Sequence, residues 1–98
     1  MSEADWSTLR DRRASDPGVG DAYEAARLAA ELGQAVRALR ESRGWSQAQL
    51  SQLAGMTQSA LARFEAGGTM PTLLILVRLA RSLDAGLAVR LQSTGPAR

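Results

Sequence analysis

The stretch that decides the fold runs from Ser46 to Gly68, SQAQLSQLAGMTQSALARFEAGG. Apolar residues recur at helical spacing on both sides of one glycine, with Leu50 and Leu53 before Gly55 and Leu61 and Phe64 after it. Ser46 and Gln49 stand at capping-box spacing, Ser at the cap and Gln at the third helical position, so a helix follows Ser46. Gly55 ends that helix in a turn where positive φ costs little. Thr57 is a good cap for the next helix, and Gly67-Gly68 stop it. Two helices of about two turns each, joined through Gly55-Met56, must cross closely. Ala48, Ser51 and Ala54 supply small residues for the crossing, while Leu50, Leu61 and Phe64 fill the wedge between the helices.

Upstream of this pair, Asp21 and Glu24 also have capping-box spacing, with Asp in place of Ser or Thr. They open a long Ala-rich stretch ending at Gly44, on which Leu28, Leu32, Ala35, Val36 and Leu39 form one apolar stripe. The first turns, with Tyr23, extend beyond any core so small a chain can offer and are expected to serve a partner. Downstream, Pro71 and Thr72 announce a fourth helix with Leu73, Leu76, Val77, Ala80 and Leu83 on one face. Leu74 and Ile75 widen that face, and core is the expectation for both. After Asp84-Ala85-Gly86 the period changes to two, since Leu87, Val89 and Leu91 alternate with Ala88, Arg90 and Gln92. This spacing predicts a short strand. No second strand is visible in the chain, so its ladder groups call for a copy in a second subunit, or another protein. The organisation expected is an arm over 1–20 carrying Trp6 and Leu9, a helical domain over 21–85, a dimerisation strand over 86–92 and a tail over 93–98.

Composition narrows the class. The chain has 98 residues, enough for one small core and an arm. Apolar residues are 45% but aromatics only 4%, so the interior is built from Leu, Ala, Val and Met, which favours helices. The fold expected is all-α: a bundle of four to five helices with a lengthened first helix and one short C-terminal β-strand paired across a dimer. There is no Cys and no His. That removes disulfides, thiolate nucleophiles, the usual zinc ligands and the commonest general base together, so neither catalysis, a metal nor a cofactor is expected. All 12 basic residues are Arg, which together with the abundance of Ala points to codon bias rather than function. The net charge of +2 is uneven: four acids face three arginines in 1–20, 21–66 is neutral, and 67–98 carries +3. Met1 to Arg13 has neither signal-peptide nor transit-peptide character. The longest apolar run, Leu73 to Val77, is far short of the roughly 20 residues that span a bilayer, so a cytoplasmic protein is expected.

The paired helices are a helix-turn-helix unit, and from Leu28 to Leu83 the chain resembles the XRE, or Cro/repressor-like, family of DNA-binding domains. The resemblance is carried by Gly44-Trp45-Ser46-Gln47, Leu50, Leu53-Ala54-Gly55, Thr57-Gln58-Ser59, Arg63, Glu65-Ala66-Gly67, and Pro71 before a Leu-rich helix. One departure is Ser51, where the family usually has Ala; its hydroxyl is expected to bond back to the carbonyl of Gln47. The resemblance implies that the third helix reads base edges in a major groove. Gln58 suits adenine, Arg63 suits guanine O6 and N7, and Ser59 suits either. It also implies phosphate contacts from Gln47 and Thr57 at helix N-termini and an interior ion pair between Arg40 and Glu65. Arg43, Arg78 and Arg81 are further phosphate candidates. A neutral reading unit binds weakly as one copy, so a symmetric homodimer on a palindromic operator is expected, its recognition helices roughly 34 Å apart. Leu87, Val89 and Leu91 are the candidate dimerisation residues.

The flanks carry a second resemblance. Ser15-Asp16-Pro17 followed by Ala22-Tyr23-Glu24, running into a lengthened first helix, is similar to HigA-type antitoxins of bacterial toxin-antitoxin pairs. That implies a HigB or RelE-like toxin as partner, a small mRNA endonuclease, which the chain would neutralise while repressing its own operon. The toxin-binding surface implied comprises Trp6, Leu9, Arg13, Tyr23 and the outer face of Ala22 to Ala30, with Asp5, Asp11, Asp21, Glu24 and Glu31 meeting the charge of a basic toxin. The alternative is a stand-alone XRE-family repressor with no toxin partner.

Overall fold

A computed structural model describes residues 17–95 as four helices joined by short turns. Helix α1 spans Pro17–Ser42, α2 Gln47–Ala54, α3 Gln58–Glu65 and α4 Leu73–Ser82. Among the described residues there is no strand, and no helix is long and apolar enough to cross a membrane.

Each start follows from local chemistry. The Ser46 hydroxyl accepts from Gln49 N at 3.1 Å while Gln49 Oε1 accepts from Ser46 N at 2.8 Å, which completes a capping box. Thr57 Oγ1 accepts from Ala60 N and Thr72 Oγ1 from Ile75 N, opening α3 and α4 in the same manner. The α2–α3 turn passes through Gly55 at φ +73°, a conformation only glycine adopts without steric cost. Helix α1 begins before the Asp21–Glu24 pair that was expected to cap it. Pro17 suits a first turn, where an amide hydrogen has no intrahelical acceptor, so Asp21 lies inside the helix and the expected boundary at residue 20 falls within it.

The core is one apolar cluster. Leu50 and Ala54 of α2, Leu61 and Phe64 of α3, and Leu76, Leu79 and Leu83 in and after α4 are buried, with Leu32, Val36, Leu39, Trp45, Met56 and Ile75 packed around them. Helix α1 packs on α3, and α2 packs on both α3 and α4. Helix α1 comes close to α3 at Gly33: a β-carbon there would lie 2.1 Å from the carbonyl oxygen of Phe64, so backbone meets backbone. Only glycine permits it.

Several expected core positions lie elsewhere. Leu53 is exposed, because the three-residue step from Leu50 carries it past the α4 contact; Ser51 and Ala54 take the buried side instead. Ala48, expected at the crossing, is exposed too. On α4 the buried stripe is Leu76, Leu79 and Leu83, while Leu73, Leu74 and Val77 face outward. The Ser51 hydroxyl donates to the Ala48 carbonyl at 3.0 Å, one residue later than the expected Gln47 acceptor.

The expected β-strand over 86–92 is absent from the described residues of the single chain. The segment leaves α4 through Asp84 at φ +53° and continues without regular structure. A ladder needs a second strand, and the described residues offer none.

Candidate nucleic-acid interface

Helix α3 is held on one side and open on the other. Leu61 and Phe64 are fully buried and Glu65 nearly so, while Gln58, Ser59, Arg63 and Ala66 are exposed on the face turned away from the core. Gln58 and Ser59 occupy the first turn directly after the Thr57 cap, and Arg63 lies one turn further on. This sets two flexible hydrogen-bonding groups and one forked cation on the outside of a short, rigid rod. An amide can accept and donate to one base edge, and a guanidinium can donate twice to another.

The rod is fixed by a buried polar lock. Arg40 of α1 donates from Nε to Glu65 Oε2 at 2.8 Å and from Nη2 to Glu65 Oε1 at 2.9 Å, a bidentate pair. Its remaining nitrogen, Nη1, donates to the Trp45 carbonyl at 2.8 Å. Gln47 Nε2, at the start of α2, donates to Glu65 Oε1 at 3.0 Å. One carboxylate thus ties together the end of α3, the first turn of α2, and α1. Burial pushes the Glu65 carboxyl upward, but hydrogen bonds from Arg40 and Gln47, with the Arg40 charge, outweigh it and hold the group below the usual carboxylate range. The same hydrogen bond raises Arg40 above its ordinary value.

Gln47, read from the sequence as a phosphate contact, spends a side-chain donor on this lock. Thr57, read in the same way, is exposed and spends its hydroxyl oxygen as the α3 cap. Arg43 is occupied as well: its Nε and Nη2 both donate to the Leu83 carbonyl, closing the C-terminal end of α4 where carbonyls lack partners. Arg78 and Arg81 are exposed on α4, and Arg78 Nη1 lies 3.2 Å from where a β-carbon on Gly55 would stand, over the α2–α3 turn.

Away from α3, Tyr23 is 79% exposed on the outer part of α1. Glu24 and Glu31 flank Arg27 and both bond to it, and the Arg27 hydrogen bond is what lowers the Glu24 carboxyl. Trp6, Leu9 and Arg13 lie outside the described residues, as do Asp5 and Asp11. Leu87 is packed against the core, whereas Val89 and Leu91 are exposed.

A helix-turn-helix family model matches residues 36–89, over half of the chain and across the whole α2–α3 unit. The chain belongs to the XRE family of helix-turn-helix proteins. No curated protein and no solved structure matches it. Membership makes this XRE-family chain a sequence-specific DNA-binding regulator, with α3 in the place of the recognition helix.

Reading the sequence missed four features of this unit. Gly33 left a signal, a glycine inside an Ala-rich helix where it costs about 1 kcal/mol relative to alanine. Leu79 was hidden because every residue from Leu73 to Val77 is apolar, which blurs the phase of the helix. The Gln47–Glu65 and Arg43–Leu83 bonds join residues far apart in sequence and have no local signature.

Proposed function

We propose that the chain acts by binding alone, as an antitoxin that neutralises a HigB or RelE-like toxin in the cytoplasm and represses its own operon. Helix α3 enters the major groove, with Gln58 facing adenine, Arg63 facing guanine O6 and N7, and Ser59 reading either. Thr57 and the first turn of α2 lie against phosphates, where free helix-terminal amides also point. The observation that carries the DNA assignment is the division of α3: its inner face is locked through Phe64, Leu61 and Glu65, and Gln58, Ser59 and Arg63 share the free face. Because residues 21–66 have no net charge, one copy neutralises few phosphates, and two copies on a palindrome supply the affinity that one lacks.

The toxin assignment rests on a different part of the chain. The outer half of α1 exposes Val19 and Tyr23 and buries nothing before Ala29, so it is surplus to the domain's own core. Together with the arm bearing Trp6, Leu9 and Arg13, it supplies a surface that DNA reading does not use.

Binding to duplexes of selected and scrambled sequence, followed by fluorescence anisotropy, tests the first part. Arg63→Ala should lose roughly 1–3 kcal/mol of discrimination at one base position, while Gln47→Ala should weaken all duplexes alike. Equal losses on both duplexes for both variants would contradict the roles. Co-expression with the product of the neighbouring gene in the operon tests the second part. Growth is restored by the full chain and lost on deleting residues 1–20; rescue by the truncated chain moves the toxin site elsewhere, and no toxicity from any neighbour leaves a stand-alone repressor.

A further inference from the structure

The open face of α3 holds one apolar group that none of the assigned base contacts uses. Ala62 lies one turn after Gln58 and Ser59 and directly before Arg63. It is half-buried, whereas Gln58, Ser59 and Arg63 are exposed and Leu61 and Phe64 are fully buried. Residues three and four apart on a helix have β-carbons about 5–6 Å apart. The Ala62 methyl therefore adjoins both Ser59 and Gln58, and with Arg63 it completes a continuous patch of four residues.

The neighbouring alanines are placed differently. Ala60 is also half-buried, but of the three polar residues only Arg63 stands three or four positions from it. Ala66 is exposed, yet it follows the last helical residue, at the end of α3 away from Gln58 and Ser59.

A methyl set among hydrogen-bonding groups restricts what the patch can meet. When α3 seats in a major groove, that methyl and the base edge it touches both leave water. Against a donor or acceptor of the base it would strand a polar group without a partner. The C5-methyl of thymine is the one methyl that a base pair presents in that groove. Methyl against methyl strands nothing and removes apolar surface from water.

We infer that Ala62 is a specificity-determining residue that selects thymine through its C5-methyl, within about two base pairs of the adenine faced by Gln58. The spacing follows from the helix: four residues rise about 6 Å, less than two steps of stacked bases at about 3.4 Å each. The role rests on α3 as the DNA-reading helix and adds an apolar contact to the amide and guanidinium contacts proposed above. The small side chain has a second effect, since a longer one at 62 would hold Gln58 and Arg63 away from the base edges.

Uracil differs from thymine only in lacking this methyl, so it isolates the contact. A duplex selected from a random pool by the full chain is remade with each thymine in turn replaced by uracil, and binding is followed by fluorescence anisotropy at one salt concentration. At one thymine per half-site the replacement should weaken binding about three- to fivefold, the worth of one buried methyl, and elsewhere it should change little. An Ala62→Gly chain should bind the thymine and uracil duplexes equally, and an Ala60→Gly chain should keep the full difference. Glycine weakens a helix, so circular dichroism checks the fold of both chains. Ala62→Ser keeps a β-carbon and sets a hydroxyl against the methyl, which should shrink the difference to under about twofold. This chain decides the matter if Ala62→Gly does not fold. The inference is overturned if no thymine is sensitive to the replacement, if the sensitivity survives Ala62→Gly or Ala62→Ser, or if Ala60→Gly erases it. Arg63→Ala separates this role from the DNA reading beneath it: that chain should lose discrimination at its own base position and keep the uracil effect. Base preference without any uracil effect sinks the Ala62 role alone, whereas no preference among duplexes sinks the reading by α3 and the Ala62 role together.

Discussion

The two halves of α1 share one unbroken helix and have opposite dependencies. From Gly33 to Ser42 the helix is built into the domain: Gly33 lies on the backbone of Phe64, Val36 and Leu39 pack on the core, and Arg40 holds Glu65. From Gly18 to Leu28 every residue is exposed. That outer half relies on alanine content and on the Glu24–Arg27–Glu31 ladder, which are local and weak. Helicity is therefore not a measure of belonging to the fold. The inner half is held by tertiary contacts, and the outer half by its own helix alone.

Substitutions should separate the halves by size of effect. Arg40→Ala leaves Glu65 buried without its partner and should cost about 3–5 kcal/mol in denaturant unfolding. The same pair imposes a pH dependence. Because the Glu65 carboxyl lies lower in the folded chain than in the unfolded one, the unfolded chain takes up the proton first as acid is added. The stabilisation is complete above the ordinary carboxylate range and is lost as pH falls into and below it, and a Glu65→Gln chain should show a smaller loss over that interval. Gly33→Ala should follow at about 2–3 kcal/mol, since its new methyl group meets main chain that cannot turn aside. If it is tolerated within about 0.5 kcal/mol, the inner half is less tightly built in than the close approach requires. At the small end, Tyr23→Ala should change unfolding by no more than about 0.5 kcal/mol and DNA binding not at all. Its effect is expected in a pull-down with the proposed toxin partner, and a Tyr23→Ala chain that unfolds easily would erase the distinction between the halves.

How far each region was legible follows from the range of its interactions. Ser46, Gln49, Thr57 and Thr72 are caps whose partners lie three residues away, so the starts of α2, α3 and α4 could be read directly. Leu50 and Phe64 stood out as core because polar neighbours framed them, and Leu61 because only alanines flank it. The apolar run at 73–77 had no such frame, so the inward face read from it held Leu76 and Leu83 correctly but included Leu73 and Val77 and omitted Leu79. The start of α1 was misplaced because the Asp21–Glu24 spacing looks like a cap wherever it occurs, while Pro17 permits an earlier start. Over 86–92 the alternation was visible, but a strand is a property of two segments and a lone chain cannot display it. In the DNA-reading unit, the residue types of Gln58, Ser59 and Arg63 were plain from sequence, whereas the bonds that occupy Gln47 and Arg43 required three dimensions.

The contact at Gly33 makes α1 a lever with a hard pivot. Sixteen positions separate Gly33 from Pro17, roughly 24 Å of helix, so a tilt of about 5° at the pivot sweeps the far end through about 2 Å. No side chain lies between the two backbones at that point, so α1 cannot shift towards α3 there without moving the Phe64 carbonyl.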